Sequence, residues 1–460
     1  ADGTKVWDKS FGGNGWDWLT VAMSTPDGGY LLAGESNSTL NGDKSEVSRG
    51  GYDFWVVKID ADGNRPLHAS DPDGDVLTWS ISGGADASKF TINATTGGLT
   101  LNSSNYENPQ DTDGNNTYEV TLSVTDSGGL SASKPVVVSV TDLNEAPTLL
   151  NGQNSLSLSI PEGSGALTIP ATWDRAYGGS GWDYIYEMIQ TSDGGYLFVG
   201  SSDSNVSGKK SQDSRGGKDY WAVKVDASGN QLWDKRYGGS GEDLCKGALA
   251  TSDGGYFLFG TSDSPASGDR SLWRWGKDYW VVKIDANGTM LWEKTYGSSL
   301  DDICYDAKEL SNGNIILAGT SNSAAWAEKS QNSMGGNDFW LVELNSDGSK
   351  VRDKVFGGTG DDRLYSFLLT PDGGLLLGGI NSSGVNGDIS KATYGLTDYW
   401  VLRLDTSWNK LWDKRYGGDS WEWLSDLAEA PDGGFFLAGQ SQSSANGDIS
   451  ETVNHPDHGD

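Results

Sequence analysis

The chain has 460 residues, enough for two or three domains, and 64 acidic against 33 basic residues give it a formal net charge of −31. A surface that acidic repels phosphate backbones and excludes nucleic acid as the expected partner, while it suits divalent cations and keeps an exported protein in solution. Sixty-five glycines, 12 prolines, 20 Trp, 18 Tyr and 11 Phe describe a turn-rich chain with apolar mass to bury rather than a disordered one, and no stretch is apolar for long enough to span a membrane.

In chain order, the first unit carries short apolar segments at Leu19 to Ser24, Tyr30 to Gly34 and Phe54 to Ile59, and at the Trp7 of Trp-Asp-Lys. They are aromatic or β-branched and bounded by Gly, Asp, Asn and Ser, which predicts strands. Pro26-Asp27-Gly28-Gly29 predicts a hairpin between the first two, because Pro presets φ, Asp bonds its own backbone and Gly accepts positive φ. Residues 65–171 then interrupt the next hairpin, and hairpin tips tolerate insertion because both ends leave side by side. Here the composition shifts to Thr, Ser and Val with period-2 alternation, as in Tyr118-Glu119-Val120-Thr121-Leu122-Ser123-Val124, which predicts a β-sandwich.

Beyond the insert the first unit's pattern returns. An aromatic-Gly-Gly or aromatic-Gly-Ser signature begins at Phe11, Tyr177, Tyr237, Tyr296, Phe356 and Tyr416, the last five spaced 60, 59, 60 and 60 residues apart. Four strands repeated six times predict an all-β fold, a six-bladed β-propeller of four-stranded blades over 1–64 and 172–460. A linear solenoid is the alternative, disfavoured by the length of the repeat. The chain opens and stops inside a repeat, so it reads as a piece of something longer, with its two ends sharing one blade. The repeated Trp55, Trp221, Trp280, Trp340 and Trp400 read as core, as do the outer-strand Trp7, Trp173, Trp233, Trp292 and Trp412, and Cys245 and Cys304 as buried thiols.

The patterns Trp-Asp-Lys-x-[Tyr/Phe]-Gly-Gly, Asp-Gly-Gly-Tyr-x-Leu-x-Gly and Asp-[Tyr/Phe]-Trp-Val-Val-Lys-[Ile/Val]-Asp resemble the tandem repeats of large secreted bacterial surface proteins. That resemblance implies a propeller and a secreted or cell-surface location. The insert is similar to a bacterial cadherin-like, Ig-like module, on Asp71-Pro72-Asp73-Gly74-Asp75, Tyr106-Glu107-Asn108-Pro109, Val124-Thr125-Asp126 and Asp142-Leu143-Asn144-Glu145. Its Pro161-Glu162-Gly163 follows the Asp142 motif instead of preceding the Asp71 loop, so it reads as one circularly permuted module, or as one module and the start of another. The resemblance implies calcium held by Glu107, Asp142 and Glu162 at one end and by Asp71, Asp73 and Asp126 at the other, against the reading that these carboxylates cap turns.

On the propeller, Asp17, Asp183, Asp243, Asp302, Asp362 and Glu422 hold one repeat position, in loops expected on one face. They would attract a cation or polar ligand, or else accept N–H bonds from their own Gly-rich loops. Trp16, Trp18, Trp182, Tyr184, Trp421 and Trp423 flank them and would stack on sugar rings, or else pack between blades. No nucleophile elbow, phosphate loop or zinc spacing is present, and His455 and His458 beside Pro456 are a weak metal signal. These features predict a non-catalytic extracellular adhesion or ligand-binding scaffold with a calcium-stabilised arm and glycans or surface proteins as partners. The alternatives are a carbohydrate-active propeller using its face carboxylates, glycoside hydrolysis being the one enzyme reading, and a structural spacer. The sequence leaves the oligomeric state open.

Overall fold

A computed structural model describes residues 7–26, 28–39, 43–44, 48–61, 63, 75–95, 97–102, 106, 108–141, 157–161, 167–169 and 173–450. Among them the regular structure is β-strand apart from one 3-10 turn at Ala87–Lys89, so the chain is all-β. None of the described residues forms a helix long and apolar enough to cross a membrane. They divide into two compact units, one of Ala1–Ser48, Asp53–Tyr177 and Ala227–Asn230, the other of Arg49–Tyr52, Gly178–Asp226 and Gln231–Asp460. The first of these units holds the first repeat together with the inserted residues.

In the first unit, β1 (Asp17–Ser24), β2 (Tyr30–Ser36) and β3 (Asp53–Ile59) precede the inserted strands β4 (Thr78–Gly83), β5 (Phe90–Ile92), β6 (Leu99–Leu101), β7 (Thr117–Thr125), β8 (Ser131–Thr141), β9 (Ser157–Pro161) and β10 (Leu167–Ile169). After them β11 (Asp174–Tyr177) returns to β3, giving an antiparallel sheet β1-β2-β3-β11. The inserted strands form two sheets, β4-β7-β8-β9 and β10-β6-β5. Phe90, Leu99 and Leu101 of one sheet and Tyr118, Val120, Leu122, Val136, Val138 and Val140 of the other share one core, so the insert is a two-sheet sandwich. The period-2 reading of β7 holds, with Tyr118, Val120 and Leu122 buried and Glu119 exposed between them.

The second unit repeats one sheet. Its strands are β12 (Asp183–Gln190), β13 (Tyr196–Ser202), β14 (Asp219–Val225) and β15 (Gln231–Tyr237); β16 (Asp243–Ala250), β17 (Tyr256–Ser262), β18 (Asp278–Ile284) and β19 (Met290–Tyr296); β20 (Asp302–Glu309), β21 (Ile315–Ser321), β22 (Asp338–Leu344) and β23 (Lys350–Phe356); β24 (Asp362–Leu369), β25 (Leu375–Asn381), β26 (Asp398–Leu404) and β27 (Lys410–Tyr416); and β28 (Glu422–Glu429) with β29 (Phe435–Ser441). Each group pairs in chain order as an antiparallel meander.

Two local devices shape every sheet. Gly194 holds φ +83 in the Ser-Asp-Gly-Gly hairpin, which a side chain resists. The first strand of each sheet bulges, β20 between Cys304 and Asp306, and Gly319 lies opposite because a Cβ there would come within 2.0 Å of the Ile303 carbonyl. The bulge re-aims its extra residue, Tyr305.

Adjacent sheets interlock through the third-strand aromatics. Tyr220 donates its hydroxyl to the Trp280 carbonyl at 2.8 Å, and Tyr279 to the Trp340 carbonyl at 2.9 Å. The indole N–H of Trp221, Trp280, Trp340 and Trp400 donates to Asp234, Glu293, Asp353 and Asp413, acids that share one outer-strand position and follow Trp233, Trp292, Arg352 and Trp412. Those third-strand tryptophans are fully buried, whereas the outer-strand Trp7 and Trp412 are partly exposed and lie outside the core expected for them. Cys245 and Cys304 are free and buried.

Among the described residues two apolar side chains are exposed where their counterparts are buried. Leu19 of β1 is 59% exposed although its counterparts Ile185, Cys304 and Leu364 are buried, and Phe436 of β29 is 62% exposed where Leu376 is buried. The expected sharing of one blade by the two ends, and the pair His455 and His458, fall on residues outside those described.

Candidate ligand site

The repeated face acids are the groups most expected to meet a ligand, and the structure encloses them. Asp183 and Asp243 accept the backbone N–H four residues earlier, from Gly179 at 2.8 Å and Gly239 at 2.7 Å, and a hydroxyl from Ser204 and Ser264. Asp302, Asp362 and Glu422 do the same with Ser298, Gly358 and Gly418. All five are fully buried or nearly so. Asp17 bonds Gly13 and the hydroxyls of Ser36 and Ser38; burial would raise its carboxyl, and these donors hold it below the ordinary value. Asp183 and Glu422 thus turn their oxygens to their own loops rather than to solvent, whereas Asp17 is only partly buried and borders the cavity beside Trp18.

Each acid also meets a second buried carboxyl across the junction of two sheets. Burial pushes Asp219 up to about 6, and Asp278 and Asp338 up to about 7, with the charges of Asp243, Asp302 and Asp362 adding to the effect. A buried cation answers each pair: Lys210, Arg270, which reaches Asp278 at 2.6 Å, and Lys329, which burial pushes down to about 8. In the next sheet Ile389 stands at that position and Arg415 takes over, 2.8 Å from Asp398.

The expected aromatics are exposed apart from Tyr184, which is half-buried. Trp16 (71%) and Trp18 belong to the first unit, where Trp18 borders an apolar cavity of about 200 Å³ with Phe11, Leu19, Leu32 and Trp55. Trp182 (44%), Tyr184, Trp421 and Trp423 belong to the second. Trp182 stacks on Tyr184 at 6.1 Å and leans on Tyr52 at 4.9 Å. Trp423 joins a different row, 5.9 Å from Tyr365, which is 5.0 Å from Tyr305.

That row ends at a cavity of about 300 Å³, lined by Asp301, Ile303, Tyr305, Thr320, Asn322, Asn337 and Arg363. Asp301 fills the repeat position held by Trp16, Trp182 and Trp421 in three other copies and by Glu242 and Asp361 in two. The bulge of β20 supplies Tyr305, and β24 supplies Arg363. Asp361 accepts from the Asn337 side chain at 2.8 Å and lies 3.8 Å from Arg363; the Asn337 donors hold its carboxyl below the usual range. The Asp301 carboxylate accepts the Lys277 N–H, and the Asp301 N–H donates to Asn322. Thr320 is fully enclosed by protein, yet its hydroxyl has no partner. Carboxylate, guanidinium and amides beside an aromatic face can hydrogen-bond a hydroxyl-rich ligand while its C–H face stacks. Sequence reading reached only Trp423 here. The signal that could have found the rest was the repeat comparison, in which Asp301 and Arg363 stand where three other copies hold aromatics.

Of the expected calcium ligands, Asp71, Asp73, Glu107, Asp142 and Glu162 lie outside the described residues. Asp126 is spent on a turn, accepting the Leu130 N–H at 2.8 Å. No group of three or more His, Cys, Asp or Glu side chains among the described residues is placed to hold a metal ion.

No protein-family model and no curated protein matches the chain. Among solved structures it is similar to cobalt-substituted apocarotenoid oxygenase from Synechocystis, with 11% identity, a TM-score of 0.34, and coverage of 92% of this chain and 85% of that one. A chimera of that oxygenase with RPE65 matches at 10% identity and a TM-score of 0.32, covering 92% and 86%. These relatives in outline are oxygenases, one of them holding cobalt. The expectation of a non-catalytic adhesion scaffold with a calcium-stabilised arm is corrected on that finding and is not carried further. Likeness at this level transfers neither a reaction nor a metal to this chain.

Proposed function

We propose that the second unit binds a hydroxyl-rich ligand of the saccharide class in the cavity between Asp301 and Arg363. One observation carries the reading: the side chains of Asp301, Asn322, Asn337 and Arg363 converge with the Tyr305 ring on one cavity of about 300 Å³. Titration calorimetry of hits from a soluble glycan array tests it. Arg363→Ala and Tyr305→Ala should each weaken a hit by about tenfold with little change in melting temperature. A blank array, or hits indifferent to both substitutions, overturns the reading. New reducing ends in the same incubation would add cleavage to binding.

The finer architecture belongs to this proposal. A six-bladed propeller is supported by the six copies of the aromatic-Gly signature and by the repeated antiparallel sheet that four of them build in full within the second unit. A single permuted cadherin-like module over 65–171 is supported by β9, which runs parallel to β8, and β10, which pairs with β6 of the same sandwich. Secretion is supported by the acidic surface and the repeat resemblance, and a signal-bearing precursor found in the culture medium would bear it out.

A further inference from the structure

The repeats act as internal controls for one another. The loop before the third strand reads Ser211-Gln212-Asp213-Ser214-Arg215-Gly216-Gly217 in one sheet and Ser330-Gln331-Asn332-Ser333-Met334-Gly335-Gly336 in another. Its polar residues fold it onto its own sheet. Gln212 accepts the Arg236 N–H, Asp213 the Val206 N–H, and Ser214 donates to the Ser202 carbonyl. Gln331, Asn332 and Ser333 repeat these bonds with Val355, Ala325 and Ser321.

Between them the sheet β16–β19 carries Ser271-Leu272-Trp273-Arg274-Trp275-Gly276, one residue shorter and without those polar side chains. Ser271 keeps the backbone bond to the outer-strand acid, and Arg274 the pairing of its counterpart, since Arg215 meets Asp269 at 2.7 Å and Arg274 meets Glu328 at 2.5 Å. The facing loop departs as well. Trp326 replaces the serine whose hydroxyl accepts a backbone N–H in Ser207 and Ser267, and Ala327 holds φ +55 where Gly208 and Gly268 stand elsewhere. The two departures meet. The Arg274 guanidinium lies 5.6 Å from the Trp326 ring, Trp273 and Trp275 are 4.7 Å apart, and the indoles are 46%, 66% and 56% exposed in the order Trp273, Trp275, Trp326.

We infer that Trp273, Trp275 and Trp326 form a second ligand platform that stacks on an uncharged saccharide chain. The loop has given up the bonds that fold its counterparts, and what replaces them is exposed aromatic surface rather than core. Glu328 already matches the Arg274 charge, so the platform offers ring faces without a free cation, and the net charge of −31 disfavours anionic lipid or nucleic acid. Flat indoles with paired polar neighbours suit the C–H faces of neutral sugar rings. The inference is independent of the cavity at Arg363.

Intrinsic tryptophan fluorescence of the whole chain, titrated with cellohexaose, xylohexaose, maltohexaose and chitohexaose, tests it. At least one should shift the emission saturably. Trp275→Ala and Trp326→Ala should each weaken that titration by about tenfold while Leu411→Ala, an exposed change outside both sites, leaves it unchanged. Circular dichroism should be unaltered, since the rings are exposed. No shift with any of the four sugars, an equal shift in the tryptophan variants, or a shift with phosphatidylcholine vesicles alone overturns the inference. Loss with Arg363→Ala but not with the tryptophan variants would assign binding to the cavity instead.

Discussion

The Tyr279 hydroxyl crosses from its own sheet to the backbone carbonyl of Trp340 in the next, 2.9 Å away, and the two rings sit 4.7 Å apart. The next copy carries Phe339 against Trp400 at 4.6 Å, so ring packing survives without the hydroxyl. Tyr279→Phe should therefore keep the fold and cost about 1–2 kcal/mol, the worth of a buried hydrogen bond whose acceptor is left unpaired. Urea unfolding with an unchanged m-value checks it, and a cost near zero would mean that packing alone joins the sheets.

Arg415 and Asp398 form a buried pair in the sheet where Ile389 replaces the usual Lys or Arg. Removing one partner strands a charge, so Arg415→Met should cost about 3–5 kcal/mol. Adding Ile389→Lys to that variant rebuilds the arrangement of Lys210 and Lys329 and should recover much of the loss. Thermal melts of the single and double variants decide it; no recovery would show that the cation's position, not its presence, matters.

Asp338 and Asp278 are pushed up to about 7, and Asp219 and Asp302 to about 6, in each case chiefly by burial. Carboxyls raised in the folded state bind more protons folded than unfolded between their ordinary value and about 7, so their contribution to stability falls as pH rises through that window. Melting temperature should drop from pH 5 to pH 8, and Asp338→Asn should flatten part of that slope by gaining at pH 8 and not at pH 5. Parallel slopes for the two proteins would remove Asp338 from the account.

Thr320 offers a separation of stability from binding. Its buried hydroxyl has no partner, so Thr320→Val should leave the unfolding free energy unchanged or raise it by up to about 1 kcal/mol. Ligand affinity at the cavity should stay unchanged, because the enclosed hydroxyl does not reach the ligand, whereas Arg363→Ala lowers it. A clear loss of stability would indicate that the hydroxyl serves the fold.

Ala327 holds φ +55, a conformation its counterparts Gly208, Gly268, Gly387 and Gly447 adopt without a side chain. Ala327→Gly should stabilise by roughly 0–1 kcal/mol, the relief of left-handed strain less the added freedom of the unfolded chain. A loss would mean that the Ala327 methyl group packs usefully beside Trp326.

The strand order within each sheet, the hairpin glycines and the buried third-strand tryptophans were all legible in the repeat, because local turn chemistry and side-chain alternation act over a few residues and recur in every copy. Where Asp183 and Glu422 turn their oxygens was not legible, because one repeat position can serve a loop or a ligand with the same carboxylate. Only the serines 19 to 21 residues later, brought alongside by the second strand, show which. The cavity was missed for the opposite reason: its signal is a difference between copies, Asp301 and Arg363 where the first, second and last copies hold aromatics, and a reading built on sameness passes over it.

By itself the sequence determined that this protein is all-β, repeats a four-stranded sheet and interrupts the first copy with a sandwich, since period, turn residues and alternation are properties of neighbouring positions. Tertiary structure alone decided which charges are enclosed, which tryptophans remain exposed, and that Arg274 and Glu328 of different repeats meet. Those outcomes depend on desolvation and on contacts between residues some 20 to 60 positions apart, and no local pattern encodes the distance between two side chains that only folding brings together.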